Sequence, residues 1–319
     1  MNVARVAILE AFAPETQGRI RGLAGPRLSI GFAESDNLED RARALDGAQY
    51  AVVRSVKMPA DLLDRAPDLR MIHQWGTGTD GIPLSEAAAR GIVVARSPGL
   101  NAPSVADLAL ALMLTCLRRV VVGDRLIRGG AWAEPDLYEI GRDLTGARVG
   151  LLGYGAIAAE VAKRLRGFDC EVVYHRPSGP VPGLPGYLPF DDFISDLDVL
   201  SLHAPSTAAT RKIIDAGRIA AMRRGTVIVN TARGELVDEA ALAAGLHAGQ
   251  IGAAGLDVFD PEPLAAESPL RSAPNTVFSA HSGGRTRENF ARIVRHWAGN
   301  IRRHADGLPI EAPCLVALP

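Results

Sequence analysis

The amino-acid sequence predicts an α/β fold with two domains built on parallel, doubly wound sheets. The chain has 319 residues, which is more than one ordinary hydrophobic core organises. Short runs of β-branched residues alternate with alanine-rich helical stretches, as expected for parallel strands covered by helices. Near the middle of the chain, one strand–turn–helix unit also carries glycines at the spacing G-x-G-x-x-A.

The first third of the chain shows this alternation without a glycine pattern that could bind phosphate. Its predicted strands cover Val6–Leu9, Tyr50–Arg54, Met71–His73 and Ile92–Ala95. Its predicted helices cover Glu15–Leu23, Ala60–Arg65 and Ser85–Arg90. This part therefore reads as a parallel sheet with short connections.

A second series of strands follows two helices, predicted over Ser104–Leu117 and Val120–Arg128. Its predicted strands cover Arg148–Leu152, Glu171–Tyr174, Val199–Leu202, Thr226–Asn230, Gly255–Val258 and Thr276–Ser279. The prolines between Pro177 and Pro189 predict a loop with little regular structure. A last helix is predicted over Glu288–His304.

Composition and charge exclude several classes of partner. The formal net charge is −1, which does not favour binding to nucleic acid or to an anionic membrane. Three scattered cysteines are too few for a disulfide framework or a structural metal site. The apolar run Val105–Leu117 is too short to span a bilayer, and the amino-terminal residues show no signal-peptide pattern. We therefore expect a cytoplasmic protein without a bound metal.

The glycine motif follows the predicted strand Arg148–Leu152 and precedes a helix predicted over Ala159–Leu165. Gly153 permits the tight turn, Gly155 lets the backbone approach a pyrophosphate, and Ala158 allows close packing of helix on strand. The helix amino terminus favours the negative charge. A purely structural turn is the alternative, but the order of strand, motif, helix and strand favours a dinucleotide site.

The residues that follow the next strand favour NADP(H) as the dinucleotide. An enzyme that uses NAD normally has an acidic residue there, about 20 residues beyond the motif, to bind the adenine ribose. This chain has His175 and Arg176 instead. An arginine can pair with the 2′-phosphate of NADP, which a carboxylate would repel. An exposed arginine without a ligand is the alternative, and NAD stays possible.

Three chemically reactive residues follow three strands of the second series. Arg233, Glu262 and His281 each lie in the segment after a predicted strand. Because ligands bind at the carboxyl ends of parallel strands, we expect these side chains on the same edge as the glycine turn.

Their side-chain types are suited to one reaction. A guanidinium binds a carboxylate, an imidazole exchanges a proton with a hydroxyl group, and a carboxylate stabilises the protonated imidazole. Taken alone, Arg233 could be a surface turn residue and His281 a buried structural histidine. Together with Glu262 they indicate an oxidoreductase acting on a small 2-oxo or 2-hydroxy acid, with hydride carried by a nicotinamide.

The segments that contain these residues resemble the D-specific 2-hydroxyacid dehydrogenase family from about Val52 to Thr286. The segments that carry the resemblance are HQWGTGTDGIPLSEAAARGIVVARSPGLNAPSVADLALALML, LLGYGAIAAEVAKRLRGF, DVLSLHAPSTAATRKII, MRRGTVIVNTARGELVDEAAL, GLDVFDPEPL and SAHSGGRT. The resemblance implies two Rossmann-like domains. Residues 1–98 and 286–319 would form a discontinuous substrate-binding domain, and residues 99–285 the dinucleotide-binding domain.

The same resemblance implies roles for individual residues. Arg233 would bind the substrate, His281 would be the acid/base and Glu262 its partner. The backbone amides around Gly76, Thr77 and Gly78 would hold the substrate carboxylate. Trp75 would narrow the substrate pocket, although packing is an equal alternative. Asp257 would lie near the nicotinamide amide.

The predicted cofactor contacts share positions at the ends of the second series of strands. They are Gly153, Tyr154, Gly155, Ala156, Ile157, His175, Arg176, His203, Ala204, Pro205, Thr231, Ala232, Arg233, Asp257, His281 and Gly283. The other histidines, His73, His247, His296 and His304, are predicted to be structural or solvated.

Glyoxylate and hydroxypyruvate are the substrates we expect first, because the likeness to reductases of those acids includes the basic ribose-site residue. A homodimer is expected, built on the helix Ser104–Leu117 and the segment after it, because that helix is apolar on nearly all sides. Two alternatives remain open. One is a nucleotide-sensing, corepressor-like protein on the same fold. The other is a formate dehydrogenase-like enzyme, for which glutamine rather than Glu262 would be expected beside the histidine.

Overall fold

A computed structural model of the chain describes residues 3–132 and 137–319. The chain divides into two compact units. The first unit joins Met1–Asn101 to Thr286–Pro319, and the second is the continuous segment Ala102–Arg285. Each unit contains a parallel sheet with helices between its strands, so the predicted α/β, doubly wound fold class is confirmed. Within the described residues, no helix is long and apolar enough to cross a membrane.

The elements are numbered along the chain. The strands are β1 (Ala4–Ile8), β2 (Leu28–Phe32), β3 (Tyr50–Val53), β4 (Met71–Gln74), β5 (Val93–Ala95), β6 (Arg148–Leu152), β7 (Glu171–His175), β8 (Val199–Leu202), β9 (Thr226–Asn230), β10 (Ile251–Leu256) and β11 (Thr276–Phe278). The helices are α1 (Pro14–Ala24), α2 (Leu38–Leu45), α3 (Asp61–Asp64), α4 (Leu84–Ala89), α5 (Ala102–Leu117), α6 (Val120–Arg128), α7 (Leu137–Ile140), α8 (Ala156–Leu165), α9 (Phe190–Ser195), α10 (Ala216–Ala221), α11 (Glu239–His247) and α12 (Arg287–Ala305).

The sheet of the first unit has the strand order β2-β1-β3-β4-β5, and all its strands are parallel. Every residue of β3 and β4 is buried, because both strands are central and covered on both faces. One face packs against α1 and α12 through residues such as Ile20 and Trp297. The other face packs against α2 and α3 through residues such as Leu45 and Leu62.

The carboxyl-terminal tail covers the β5 edge of this sheet. Leu315 forms an antiparallel bridge with Ala95. The N–H of Arg96 donates to the carbonyl oxygen of Cys314 at 2.8 Å, and the N–H of Val316 donates to that of Val94 at 2.9 Å. The tail therefore pairs an edge strand that would otherwise expose its polar backbone.

The sheet of the second unit has the order β11-β10-β9-β8-β6-β7 and is also parallel throughout. The winding direction reverses between β6 and β8, which is the position where sheets of this type bind ligands. The reactive segments follow β9, β10 and β11, which are neighbours in the sheet. The topology thus collects all the predicted sites of this unit at one edge.

The apolar side chains of helix α5 are buried within its own unit. It packs against α8, β9, β10 and β11. Ala106, Met113 and Leu117 belong to one core cluster with residues of the sheet. The burial of α5 accounts for its composition without a partner chain, whereas the described residues that follow it include the exposed apolar side chains Val120, Ile127 and Trp132.

Several elements differ from those predicted. Strand β2 and helix α2 were not predicted, because β2 is an edge strand with exposed Ser29 and Gly31 and α2 has a largely polar sequence. Strand β10 begins four residues earlier than predicted, at Ile251, where Gly252 weakens the strand signal. The proline-rich segment 177–189 is mostly irregular, as predicted, but Tyr187 bridges to Tyr174.

Candidate active site

The glycine turn of the second unit lies at the reversal point of the sheet. Gly153 has φ +90°, and a Cβ atom there would lie 2.7 Å from the backbone nitrogen of Ala204. The N–H of Gly153 donates to the carbonyl oxygen of His175 at 2.8 Å, and that of His203 donates to Leu152 at 2.7 Å. The segments after β6, β7 and β8 therefore meet at a residue that must be glycine.

The start of α8 has the features of an anion site. The helix begins at Ala156, and its cap residue is Gly155, so no cap side chain bonds the first backbone amides of the helix. A Cβ atom built on Gly155 would meet no heavy atom within 4 Å. Unpaired amides and open space at a helix amino terminus fit the pyrophosphate of a dinucleotide. Ala158 is fully buried, as close helix–strand packing requires.

Tyr154 contributes its backbone rather than its ring to this turn. Its ring centroid lies 4.7 Å from that of Tyr174, on the core side of the sheet. Burial raises the pKa of the Tyr154 hydroxyl. Ile157 is half-buried and packs against the same core. The exposed groups of the motif are thus Gly155 and Ala156.

His175 and Arg176 differ in what their side chains contact. The Nδ1 atom of His175 lies 3.0 Å from the carbonyl oxygen of Leu188, and its ring packs against Phe190 at 5.2 Å between centroids. His175 is therefore largely a packing residue. The Nε atom of Arg176 donates to the carbonyl oxygen of Gly179 at 2.7 Å, and among the described residues its Nη atoms have no hydrogen-bond partner.

Two buried polar atoms near the sheet edge have no partner within the described part of the chain, Nδ1 of His203 and Oγ1 of Thr231. The Nε2 atom of His203 lies 2.9 Å from Oγ of Ser201. Burial lowers the pKa of His203 to about 4, so the ring is neutral at neutral pH. Buried polar atoms normally have partners, so these two positions are suited to a bound ligand. Together with the glycine turn, they fit a dinucleotide.

The turn after β9 is shaped by the side chain of Asn230. Its Oδ1 atom accepts from the N–H of Ala232 at 3.0 Å, and its Nδ2 atom donates to the carbonyl oxygen of Arg233 at 2.9 Å. Arg233 itself is half-buried, and its Nη1 atom donates to the carbonyl oxygen of Ala232 at 2.7 Å. One buried amide thus fixes the backbone that carries the guanidinium.

His281 and Glu262 form the central polar contact of the site. The Nδ1 atom of His281 lies 2.8 Å from Oε2 of Glu262. The other carboxylate oxygen, Oε1, accepts from the N–H of Phe259 at 3.1 Å. A carboxylate at Nδ1 fixes that nitrogen as the N–H donor and leaves Nε2 to exchange a proton.

The electrostatics of Glu262 follow from these contacts. Burial acts to raise the pKa of its carboxyl group, but the hydrogen bond and charge of His281 lower it. The N–H of Phe259 and the charge of Arg233 act in the same direction, and the pKa lies below its ordinary value. Glu262 is therefore an anion at neutral pH and can stabilise a positive charge on His281.

Asp257 holds the loop that carries His281. Its side chain is buried, with Oδ1 accepting from Oγ of Ser279 at 2.6 Å and from the N–H of Ser282 at 2.8 Å. Its Oδ2 atom accepts from the N–H of Gly283 at 2.9 Å, and its carbonyl oxygen accepts from the N–H of His281 at 2.7 Å. His281 has φ +46°, an unusual conformation for histidine that this loop imposes.

The predicted substrate loop belongs to the first unit and follows β4. The carbonyl oxygen of Gly76 accepts from the N–H of Ser97 at 2.8 Å, and Oγ1 of Thr77 donates to the carbonyl oxygen of Ser97 at 3.2 Å. Gly76, Thr77 and Gly78 are all partly exposed. Trp75 is buried, and its ring packs against Phe12 and Phe290 at centroid distances of 6.1 and 5.7 Å. Packing thus accounts for much of its surface.

The sequence did not reveal three supporting residues. Asn230 and Asp257 shape loops through hydrogen bonds, and the sequence does not show the shape of those loops. Asn230 was predicted only as the end of a strand, and Asp257 was predicted to lie near the nicotinamide amide. Gly234 allows the backbone of Phe259 to pass at a distance that no side chain would permit. Its position directly after Arg233 was the available signal.

In the described residues, no group of three or more metal-binding side chains is placed to hold an ion.

The chain resembles known proteins over both units. Residues 110–283 match the family model described as D-isomer specific 2-hydroxyacid dehydrogenase, NAD binding domain. A hydroxypyruvate reductase of Thermotoga maritima is 40% identical over 265 residues, covering 81% of this chain and 86% of that protein. A glyoxylate reductase of Korarchaeum cryptofilum is 36% identical over 248 residues, covering 76% of this chain and 75% of that protein.

The fold is also similar to that of a solved structure. The NADPH-dependent glyoxylate/hydroxypyruvate reductase of Sinorhizobium meliloti superposes with a TM-score of 0.83 at 29% identity. The match covers 98% of each chain.

Proposed function

Because the chain belongs to the D-isomer specific 2-hydroxyacid dehydrogenase family, we propose that it reduces glyoxylate or hydroxypyruvate with NADPH. The family supports the coarser statement, an NAD(P)-dependent oxidoreductase of small 2-oxo and 2-hydroxy acids. The contact between His281 and Glu262 carries the proposal for the mechanism. The choice of substrate draws on the names of the relatives.

His281 is the proposed acid in reduction and base in oxidation. With Nδ1 held by Glu262, its Nε2 atom delivers a proton to the carbonyl oxygen of the substrate as the new hydroxyl group forms. Glu262 stabilises the imidazolium before the proton leaves, and it keeps the ring in one tautomer. Asp257 contributes by holding the His281 loop, besides its proposed position near the nicotinamide amide.

Arg233 is the proposed substrate-binding cation. Its guanidinium can bind the substrate carboxylate and polarise the neighbouring carbonyl group. In the first unit, the backbone amides of Gly76, Thr77 and Gly78 are also proposed to bind this carboxylate. On this assignment the first unit is the substrate-binding domain and the second is the dinucleotide-binding domain.

The nicotinamide cofactor supplies the hydride when bound. The proposed contacts are the exposed backbone of Gly155 and Ala156 for the pyrophosphate and Arg176 for the 2′-phosphate. The unpartnered atoms of His203 and Thr231, and the backbone at Ala204, Pro205, Ala232 and Gly283, are proposed to complete the site. Arg176 carries the choice of NADPH, because the solved relatives include both an NADPH-dependent reductase and a formate dehydrogenase in complex with NAD.

We also infer that the protein is a homodimer in which α6 and the segment after it contact a second copy. No residue of α6 is buried, although Val120 and Ile127 are apolar and more than half exposed. Trp132 is 87% exposed, and Tyr138 of α7 is fully exposed. Several large apolar side chains exposed in neighbouring parts of the chain are typical of a surface that contacts a partner.

The proposed function is tested by measuring NADPH oxidation with a panel of 2-oxo acids. Glyoxylate, hydroxypyruvate, pyruvate and phosphohydroxypyruvate each receive a kcat/KM, with NADH measured in parallel. The expected result is the highest kcat/KM with glyoxylate or hydroxypyruvate. If all the acids are inert while NADPH binds with micromolar affinity, the reductase assignment is wrong and a nucleotide-sensing role is favoured.

A further inference from the structure

A buried polar cluster of the first unit lies outside the groups proposed for catalysis. It consists of His73 in β4, His296 and Asn300 in α12, and Cys314 in the tail, and we call it the histidine–asparagine cluster. His73 is fully buried, and Asn300 and Cys314 are nearly so. Burying a polar group costs free energy unless it is hydrogen-bonded, so the hydrogen bonds within the cluster are the feature to explain.

One amide group serves both imidazole rings. Nδ1 of His73 lies 2.8 Å from the carbonyl oxygen of Gln74, which can only accept, so Nδ1 carries a proton. Nδ2 of Asn300 lies 3.0 Å from Nε2 of His73 and 3.2 Å from Nε2 of His296. The two N–H groups of the amide can therefore donate to one ring each. This arrangement requires that both Nε2 atoms lack a proton.

The surroundings keep both rings neutral. Burial lowers the pKa of His73 to about 3, and His296 acts in the same direction. Burial also lowers the pKa of His296, against opposing effects from the backbone of Arg96 and the charge of Glu311. Among the described residues, these groups and Cys314 are the titratable or charged ones that act on the two rings.

The cluster reaches the Gly76–Gly78 loop by two routes. Along β4, His73 is separated from Gly76 only by Gln74 and Trp75. Through the tail, Sγ of Cys314 lies 3.7 Å from Nε2 of His296, and its carbonyl oxygen accepts from the N–H of Arg96.

The second route continues through the residue after Arg96. Ser97 donates its N–H to the carbonyl oxygen of Gly76 and accepts from Oγ1 of Thr77. Both routes therefore end in the backbone of the same loop.

We propose that Asn300 is a positioning residue for the Gly76–Gly78 loop. By donating to His73 and His296 at once, it holds the strand that leads into the loop and the tail that braces it. Asn300 acts through these neighbours and contacts no substrate. The inference rests on the proposed function, in which this loop binds the substrate carboxylate.

The first test replaces Asn300 with leucine, which has a similar volume and no N–H groups. The expected KM for the best oxo acid rises about tenfold, because two buried hydrogen bonds behind the loop are lost. The Kd for NADPH, measured by fluorescence, stays the same. His304→Leu is the matched control, since His304 also lies on α12 and contacts Tyr50 across the unit. It is expected to lower Tm without changing KM.

The second test uses Asn300→Asp, which reverses the proton requirement. A carboxylate at this position favours protonated rings, whereas the native amide favours neutral ones. The KM of the native protein is therefore expected to stay level between about pH 8 and about pH 6, because burial keeps both rings neutral, whereas that of Asn300→Asp is expected to fall as the pH falls over the same range. A role in stability alone would change Tm without giving the aspartate variant a pH-dependent KM that the native protein lacks.

Amide hydrogen exchange supplies a readout without substrate. Asn300→Leu, or Cys314→Ala if the leucine variant does not fold, is expected to raise exchange at residues 74–78 and 94–97. Unchanged exchange there and unchanged KM in a folded variant would overturn the proposal. If the native protein reduces no oxo acid, the proposed function fails, and exchange alone decides whether Asn300 positions the loop.

Discussion

The backbone of Phe259 passes so close to Gly234 that a Cβ atom on Gly234 would lie 2.0 Å from the carbonyl carbon of Phe259. This contact joins two loops that carry proposed catalytic groups. Gly234 follows Arg233, and the N–H of Phe259 donates to Glu262. The positions of Arg233 and Glu262 are therefore coupled through Gly234.

Gly234→Ala is expected to reduce kcat/KM for oxo-acid reduction by at least about 10²-fold. The added methyl group must push the two loops apart, and a shift of about 1 Å at catalytic groups has a cost of this size. Gly167→Ala is the matched control, because a Cβ atom there meets nothing within 4 Å. Steady-state kinetics and Tm are compared for both variants. A kcat/KM near the native value in Gly234→Ala would show that the loops move independently.

His281→Ala and Arg233→Ala are each expected to lower kcat/KM by at least about 10²-fold. The first removes the proton donor and the second removes the cation that binds the carboxylate. In Arg233→Ala the KM should rise as well. NADPH affinity, measured separately by fluorescence, checks that the fold persists. Near-native turnover in His281→Ala would defeat the proposed mechanism.

Glu262→Gln is expected to move the alkaline limb of the reduction profile to lower pH. In reduction His281 delivers a proton, and its positively charged form must be stabilised before the proton leaves. The pKa of Glu262 lies below its ordinary value, so the native carboxylate is ionised throughout this range and stabilises that form. Without the negative charge, reduction is expected to fail at a lower pH than in the native protein. The measurement is log kcat/KM against pH.

Asp260→Asn is the control for this experiment. Asp260 lies two residues from Glu262 and pairs with Arg211 rather than with the histidine. Its variant should keep the native limb. Identical limbs in the native protein and in Glu262→Gln would mean that the carboxylate does not act on His281 in solution.

Helix α6 is proposed to form the contact between the two copies of the homodimer. Ile127→Asp is expected to convert the homodimer to a monomer at micromolar concentration, because it places a charge in an apolar contact. Leu308→Asp is the control, since Leu308 is similarly exposed but lies after α12 in the first unit. Light scattering gives the mass of each. A native protein that is already monomeric would contradict the proposed dimer.

The carboxyl ends of the strands were the most predictable part of the site. Strand β9 has the predicted bounds, and Arg233, Glu262 and His281 follow neighbouring strands of the sheet. Patterns of apolar residues locate strand ends, and parallel topology then collects them. The contact between His281 and Glu262 followed from the same logic.

The loops between these strand ends were not predictable in the same way. The left-handed backbone of His281 depends on four hydrogen bonds to the side chain of Asp257, whose donors come from beyond the next strand. The packing of His175 depends on side-chain alternation along β7. Tyr174 faces Tyr154, so the next residue faces Phe190 on the other side. Spacing from the glycine motif does not carry that information.

His175 and Arg176, at the end of β7, are expected to act differently on the cofactor. Arg176 is held by its Nε atom, so both Nη atoms remain to meet a 2′-phosphate with parallel hydrogen bonds. Because Arg176 is partly exposed, we expect the pair to contribute about as much as one charge-assisted bond, about 1.5–3 kcal/mol, which corresponds to a preference for NADPH over NADH of roughly 10- to 100-fold. Arg176→Ala should erase most of this preference. Arg224→Ala is the control, because Arg224 also bonds a loop carbonyl but precedes β9, at the opposite edge of the sheet.

His175→Asp is expected to reverse the preference, since a carboxylate accepts from the ribose hydroxyls and repels a 2′-phosphate. This variant is also expected to be less stable than the native protein. The native ring lies 3.0 Å from the carbonyl oxygen of Leu188, and an aspartate there would face that carbonyl as a second acceptor. A lower Tm should therefore accompany the change in preference. The measurement is kcat/KM for NADPH and NADH with one good oxo acid. Equal values in the native protein, or a preference for NADH, would defeat the assignment of Arg176 and leave hydride transfer to the oxo acid unaffected.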